Sequence, residues 1–119
     1  MKLNTKNTGN IGEELAAQWL LQKGFCILAR NWRYKHSEVD IIASQNNILH
    51  FIEVKTRNST QFGQPEESIN ATKMNALKKA AVAYVEQNTE WKKIQFDVMA
   101  ITLKPNNNHE FFMIEDVFF

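Results

Sequence analysis

Residues 38–56 read EVDIIASQNNILHFIEVKT. Two apolar runs, 38–44 and 48–56, flank Gln45-Asn46-Asn47, a turn signal, so the stretch reads as a β-hairpin. Side chains alternate across a strand, which puts Glu53 and Lys55 on one side and Val54 on the other. Charges belong near strand ends, yet Asp40 precedes Ile41 and Ile42, and Glu53 and Lys55 interrupt FIEVKT. If the two strands pair, the carboxylates of Asp40 and Glu53 converge. Unpaired carboxylates repel, so a positive group must hold them. Lys55 is one such group; a divalent cation is a better one.

That arrangement has a chemistry. Mg²⁺ takes oxygen ligands in octahedral geometry, keeps several waters and is commonly held by one or two carboxylates. Asp40, Glu53 and the Val54 carbonyl would supply three oxygens, leaving the other positions to water and a phosphate oxygen. Such a metal is a Lewis acid and lowers the pKa of its bound water. Lys55, two residues after Glu53, would orient or deprotonate that water or stabilise charge on the phosphate. The competing structural reading is a cross-strand salt-bridge cluster on an open sheet face.

Outward from the hairpin, the spacing predicts a helix over 10–23, capped by Asn10 with Glu13 as in a capping box, and a strand over 25–31. A polar loop over 57–64 leads to a long helix from Pro65 to about residue 87. Strands follow over 94–103 and 110–118, joined by a turn at 105–108. The order α-β-β-β-α-β-β predicts an α/β fold, one sheet of about five strands packed by two helices.

Helical residues add to the site. Lys73 interrupts the apolar line Ile69, Ala76, Leu77, Ala80, Tyr84, so it either faces the carboxylates, contacts a phosphate, or snorkels past Tyr84 to solvent. Glu13 lies at the margin of the first helix's apolar face and is either a further carboxylate of the site or only the capping glutamate. Glu14, on the other side of that stripe, reads as surface. Asp97, a mid-strand acid, reads as a supporting residue or a partner of Arg33 or Arg57. His50 and His109 stand isolated and are expected in solvent. Arg30, Trp32, Arg33 and Lys35 interleave cations with an aromatic ring, a pattern suited to nucleic-acid contacts or to packing at a strand end.

Composition bounds the reading. The 119 residues make one domain, 1–119, with 44% hydrophobic and 23% charged residues. Lone Cys26 excludes an internal disulfide and a cysteine-rich zinc site. Residues 1–10 are polar, without the apolar core of a secretory signal, and no run suffices to span a membrane, so a cytoplasmic protein is expected. Net charge is +1, from 14 basic against 13 acidic residues, which excludes a strongly basic binder but not a local patch. Residues 15–37 carry Lys23, Arg30, Arg33 and Lys35 and no acid.

Taken together, Gly12-Glu13 with Ala16, Gly24, Ala29-Arg30-Asn31-Trp32-Arg33, Glu38 to Ala43, Ile52 to Arg57, Phe62-Gly63, Lys73 and Phe96-Asp97-Val98 resemble the YraN family of small bacterial proteins. That family is similar to archaeal Holliday-junction resolvases within the PD-(D/E)xK superfamily. The resemblance runs from about Gly9 to Val98. It implies a restriction-endonuclease-like core, a central mixed sheet flanked by helices, and Mg²⁺- or Mn²⁺-dependent cleavage of structured or branched DNA. On it, Asp40 and Glu53 match the metal-binding carboxylates, Lys55 the active-site lysine and Glu13 the helical glutamate of the resolvase-like branch, whose dimers make a homodimer an expectation here. Val39 stands where the superfamily places proline, Ser37 where glycine is usual, and Gln95 where the family tends to carry arginine.

The sequence thus predicts a metal-dependent endonuclease in which Asp40, Glu53, Lys55 and Glu13 do the chemistry and Arg33, Arg57 and Lys73 contact phosphates. The alternative is a catalytically silent nucleic-acid-binding or adaptor domain that retains the nuclease fold. A structural domain with a salt-bridge cluster is the third reading.

Overall fold

The computed structural model describes residues 5–58 and 71–117. They form α1 (Thr5–Gln22), β1 (Cys26–Tyr34), β2 (Ser37–Gln45), β3 (Ile48–Asn58), α2 (Ala71–Gln87), β4 (Lys93–Leu103), a 3₁₀ turn at Pro105–Asn107 and β5 (Glu110–Ile114). The sheet order is β1-β2-β3-β4-β5, antiparallel except for β3 and β4, which run parallel across the α2 connection. This is the expected α/β fold with a mixed five-stranded sheet and two helices, compatible with a restriction-endonuclease-like core.

Each strand face needs an apolar cover, and each helix supplies one. Ala16, Ala17 and Leu20 of α1, with Phe25, pack on Ile41, Ala43, Ile52, Met99 and Ile101. Met74, Leu77, Ala80, Ala81 and Tyr84 of α2 pack on Val39, Ile42, Leu49 and Phe51. Two clusters, each built around one helix, make three layers with β3 at the centre of the sheet. The hairpin of β2 and β3 closes through Asn46 and Asn47, both at positive φ (54° and 65°), as a two-residue type I′ turn requires.

Several elements differ from the sequence reading. Helix α1 begins at Thr5, so Asn10 lies inside it and caps nothing. An asparagine inside a helix costs only a few tenths of a kcal/mol, which leaves the preceding turn free to stay helical. Strand β1 runs on to Tyr34 because Trp32, Arg33 and Tyr34 pair with Val39, Glu38 and Ser37. Strand β5 stops at Ile114, after which Asp116 adopts φ 56° and the chain turns back to β4. The predicted helix start at Pro65, Ile69 of its apolar line, and Phe62-Gly63 lie outside the described residues.

Gly12 fixes how α1 meets the sheet. A Cβ there would fall 1.7 Å from Thr56 Oγ1 and 2.8 Å from Thr56 Cβ, so only glycine lets the helix seat against β3. The next residue is Glu13, which this approach carries toward the charged end of β3.

Candidate active site

Strands β2 and β3 pair with Ile41 opposite Ile52, and one further step of that register sets Asp40 opposite Glu53. The Asp40 carboxylate accepts a hydrogen bond from the Val54 N–H, with Oδ2 2.8 Å from the nitrogen. Glu53 is buried. Lys73 Nζ lies 2.6 Å and Lys55 Nζ 3.5 Å from its Oε1. Lys73 therefore turns toward the carboxylates, where the sequence left its direction open. Among the described residues, no buried side-chain nitrogen or oxygen lacks a hydrogen-bond partner.

The electrostatics follow from crowding. Burial and the Glu53 carboxylate push Asp40 up to about 7, against the opposing effect of the Val54 N–H. Burial also raises Glu13, whose carboxylate is hydrogen-bonded by Asn31 and feels Glu38 and Glu53. Asn31 holds a positive φ of 52° within β1. Glu13 is thus the partner of Asn31, and the capping-box reading is overturned. Burial and the neighbouring Lys73 ammonium lower Lys55, while burial opposes but Glu53 outweighs it to raise Lys73.

A cavity of about 260 Å³ opens over this cluster, with Glu38, Asp40, Glu53 and Lys73 in its wall. Glu38 belongs to the site's electrostatics and was not singled out from sequence. The available signal was its place two residues before Asp40 on one strand, the spacing that puts side chains on one side of a sheet. Glu38 is held by Arg33 directly across β1 and β2, 3.0 Å away. Arg57 Nε donates to Thr102 Oγ1 on β4 at 3.4 Å. Arg30 pairs with Glu14 of α1 at 2.8 Å, so Glu14 anchors β1 to the helix. Trp32 packs edge-on against Tyr84, the strand-end packing alternative.

A second polar cluster overturns the expectation for His50 and one of the two alternatives for Asp97. His50 is buried, not solvated, and its Nδ1 lies 2.6 Å from Asp97 Oδ2. Asp97 joins neither Arg33 nor Arg57; its other oxygen accepts from Gln95 Nε2 and from the Asp116 N–H. Strand pairing sets His50 beside Gln95, and this contact between chain segments 47 residues apart left no periodic trace in the sequence. Nor is His109 isolated: its Nδ1 accepts from the Lys104 N–H.

Among the described residues, no three His, Cys, Asp or Glu side chains form a ready-made metal centre. The donors that converge are the carboxylates of Asp40 and Glu53, hard oxygens that suit Mg²⁺ or Mn²⁺ with waters retained. The charge at the site is two facing carboxylates, Asp40 pushed up to about 7 with Glu13 and Glu38 near it, and Glu53 paired with Lys55 and Lys73.

Residues 12–101 match the model of the uncharacterised protein family UPF0102. The chain is 42% identical over 104 residues to a UPF0102 protein of Dictyoglomus turgidum, covering 87% of this chain and 88% of the relative. It is 43% identical over 111 residues to a UPF0102 protein of Thermodesulfovibrio yellowstonii, covering 93% and 95%. A UPF0102 protein of Flavobacterium psychrophilum is 39% identical over 111 residues, covering 93% and 92%.

Proposed function

The chain belongs to the uncharacterised protein family UPF0102, the YraN family, and from that premise we propose that it is a metal-dependent endonuclease acting on structured or branched DNA. The observation that carries this reading is the convergence of Asp40 and Glu53 from paired strands, with Lys55 and Lys73 on Glu53. A structural salt-bridge cluster would match its charges, whereas here burial and Glu53 leave Asp40 pushed up to about 7.

Asp40 and Glu53 would hold Mg²⁺ or Mn²⁺, with the Val54 carbonyl as a third oxygen. Bound there, the cation supplies Lewis acidity toward the phosphate and makes a bound water more acidic. The Val54 N–H orients Asp40 by occupying one of its oxygens. Lys55, whose Nζ lies 3.5 Å from Glu53 Oε1, is suited to orient the attacking water and to stabilise charge developing on the phosphate. Lys73 neutralises Glu53 before substrate arrives and would turn to a phosphate oxygen afterwards. Glu13, raised by burial, adds a carboxyl that holds a proton or a water at the rim. Arg33 and Arg57 would meet flanking phosphates. A homodimer, expected from the resolvase resemblance, would present two such sites to one junction.

Cleavage of a labelled four-way DNA junction and of a linear duplex tests this. Cleavage is expected with Mn²⁺ or Mg²⁺ and not with chelator. Asp40→Asn and Glu53→Gln should abolish it, and Lys55→Ala should slow it by about 10²-fold or more. A junction left intact by the wild type in Mn²⁺ would overturn the reading. One observation favours a second reading, a silent nucleic-acid-binding or adaptor domain: Lys73, 2.6 Å from Glu53, already supplies that carboxylate with a cation. It predicts salt-dependent DNA binding that needs no metal and survives Glu53→Gln.

A further inference from the structure

Beside the carboxylate cavity lies another of about 440 Å³, walled by Tyr34, Lys35 and His36 at the tip of the β1–β2 hairpin and by Thr72, Asn75 and Lys79 of α2. The two share His36, Ser37 and Ala76, so they adjoin across a common wall. Their charges are opposite. The first carries three acids, Glu38, Asp40 and Glu53, against Lys73, and the second carries Lys35 and Lys79 and no acid. A phosphodiester strand needs this pairing: a place for a cation at the bond to be cut, and fixed positive charge beside the flanking phosphate.

The second cavity also has what a base needs. Tyr34 lines the cavity and Lys35 Nζ lies over its ring, 5.3 Å from the centroid, the place a base would take as the ammonium moves to its phosphate. Stacking on such a ring is how proteins hold unpaired bases without regard to sequence. Thr72 and Asn75 offer donors and acceptors to a base edge. Lys35 is held at φ 56°, in the left-handed region, where the β1–β2 hairpin turns. The volume lies within the roughly 300–1,000 Å³ that accommodates a single small ligand.

We propose that this cavity binds one unpaired nucleotide of a DNA strand whose backbone runs on into the carboxylate site. Lys35 and Lys79 bind the phosphate and Tyr34 the base. The inference rests on the nuclease reading and deepens it: the strand is unpaired next to the bond that is cut, as at a junction, flap or frayed end.

Fluorescence anisotropy in chelator, where nothing is cut, tests it with a short labelled single strand and the blunt duplex of the same sequence. The single strand should bind at least about 10-fold more tightly than the duplex. Lys79→Glu and Lys35→Glu should each weaken it by about 5- to 20-fold. Lys79 is exposed, so Lys79→Glu keeps the fold, and thermal melting verifies that. Equal affinity of the wild type for single strand and duplex would overturn the proposal, and so would wild-type affinity in both charge-reversal variants. Tighter binding of the matching RNA would overturn the assignment to DNA. The nuclease reading fails separately, through wild-type protein that binds the single strand yet cuts no DNA in Mn²⁺.

Discussion

At the scale of single residues, Asp40 is where fold and site conflict. Burial and Glu53 raise its carboxyl from an ordinary 3.8 to about 7, so the folded chain binds a proton there that the unfolded chain has lost. Stability therefore falls as pH rises from about 4 to about 7 and is level above that. The loss should amount to about 2–4 kcal/mol. Urea unfolding at pH 5 and pH 8 measures it. The wild type should lose stability between the two, and Asp40→Asn should lose far less, becoming the more stable protein at pH 8. Equal pH dependence in the two would remove the strain assigned to this carboxylate. A site that destabilises its own fold is the usual mark of a group retained for binding or chemistry. Asp40, Glu53 and Lys55 were legible in sequence because each interrupts an apolar strand. Glu38 was not, since an acid at the start of a strand looks like ordinary surface.

At the scale of elements, two contacts determine how the helices and the chain end meet the sheet. Gly12 lets α1 approach Thr56 of β3, and Gly12→Ala places a methyl where Thr56 Oγ1 and Cγ2 stand. This overpacking should cost about 1–3 kcal/mol. Thr56→Ala in the same chain should restore part of it, a coupling that a double-mutant cycle in denaturant would read. Glu13 rides on the same contact, so Gly12→Ala should also reduce any cleavage. The second contact is His50–Asp97, whose carboxylate also holds the Asp116 N–H. Asp97→Ala leaves His50 and Gln95 without their shared acceptor and should destabilise by about 3–5 kcal/mol. Hydrogen exchange at Asp116 and Val117 should quicken well beyond the change at the core of β2. Local patterns foretold the hairpin, because period-two alternation and an Asn-Asn turn are written in adjacent residues. The reach of β1 to Tyr34, the start of α1 at Thr5 and the burial of His50 depend on partners distant in the chain, and no local pattern carries them.

At the scale of the whole molecule, three layers divide the labour. The two apolar clusters hold α1 and α2 on opposite faces, and the charged residues gather where β2, β3 and α2 meet. A net charge of only +1 conceals this grouping, with Glu38, Asp40 and Glu53 gathered at one cavity beside Lys73, and Lys35 and Lys79 without an acid at its neighbour. On the nuclease reading, Asp40 and Glu53 hold a cation with a strength that follows the ionisation of Asp40. Calorimetric titration of Mn²⁺ into the wild type at pH 8 and pH 6, and into Asp40→Asn at pH 8, tests it most directly. The wild type should bind about one equivalent at pH 8, roughly tenfold more weakly at pH 6 as protons compete for Asp40, and the variant should bind none. Wild-type protein that binds no Mn²⁺ at pH 8, or Asp40→Asn that binds it as tightly as the wild type, would contradict the account.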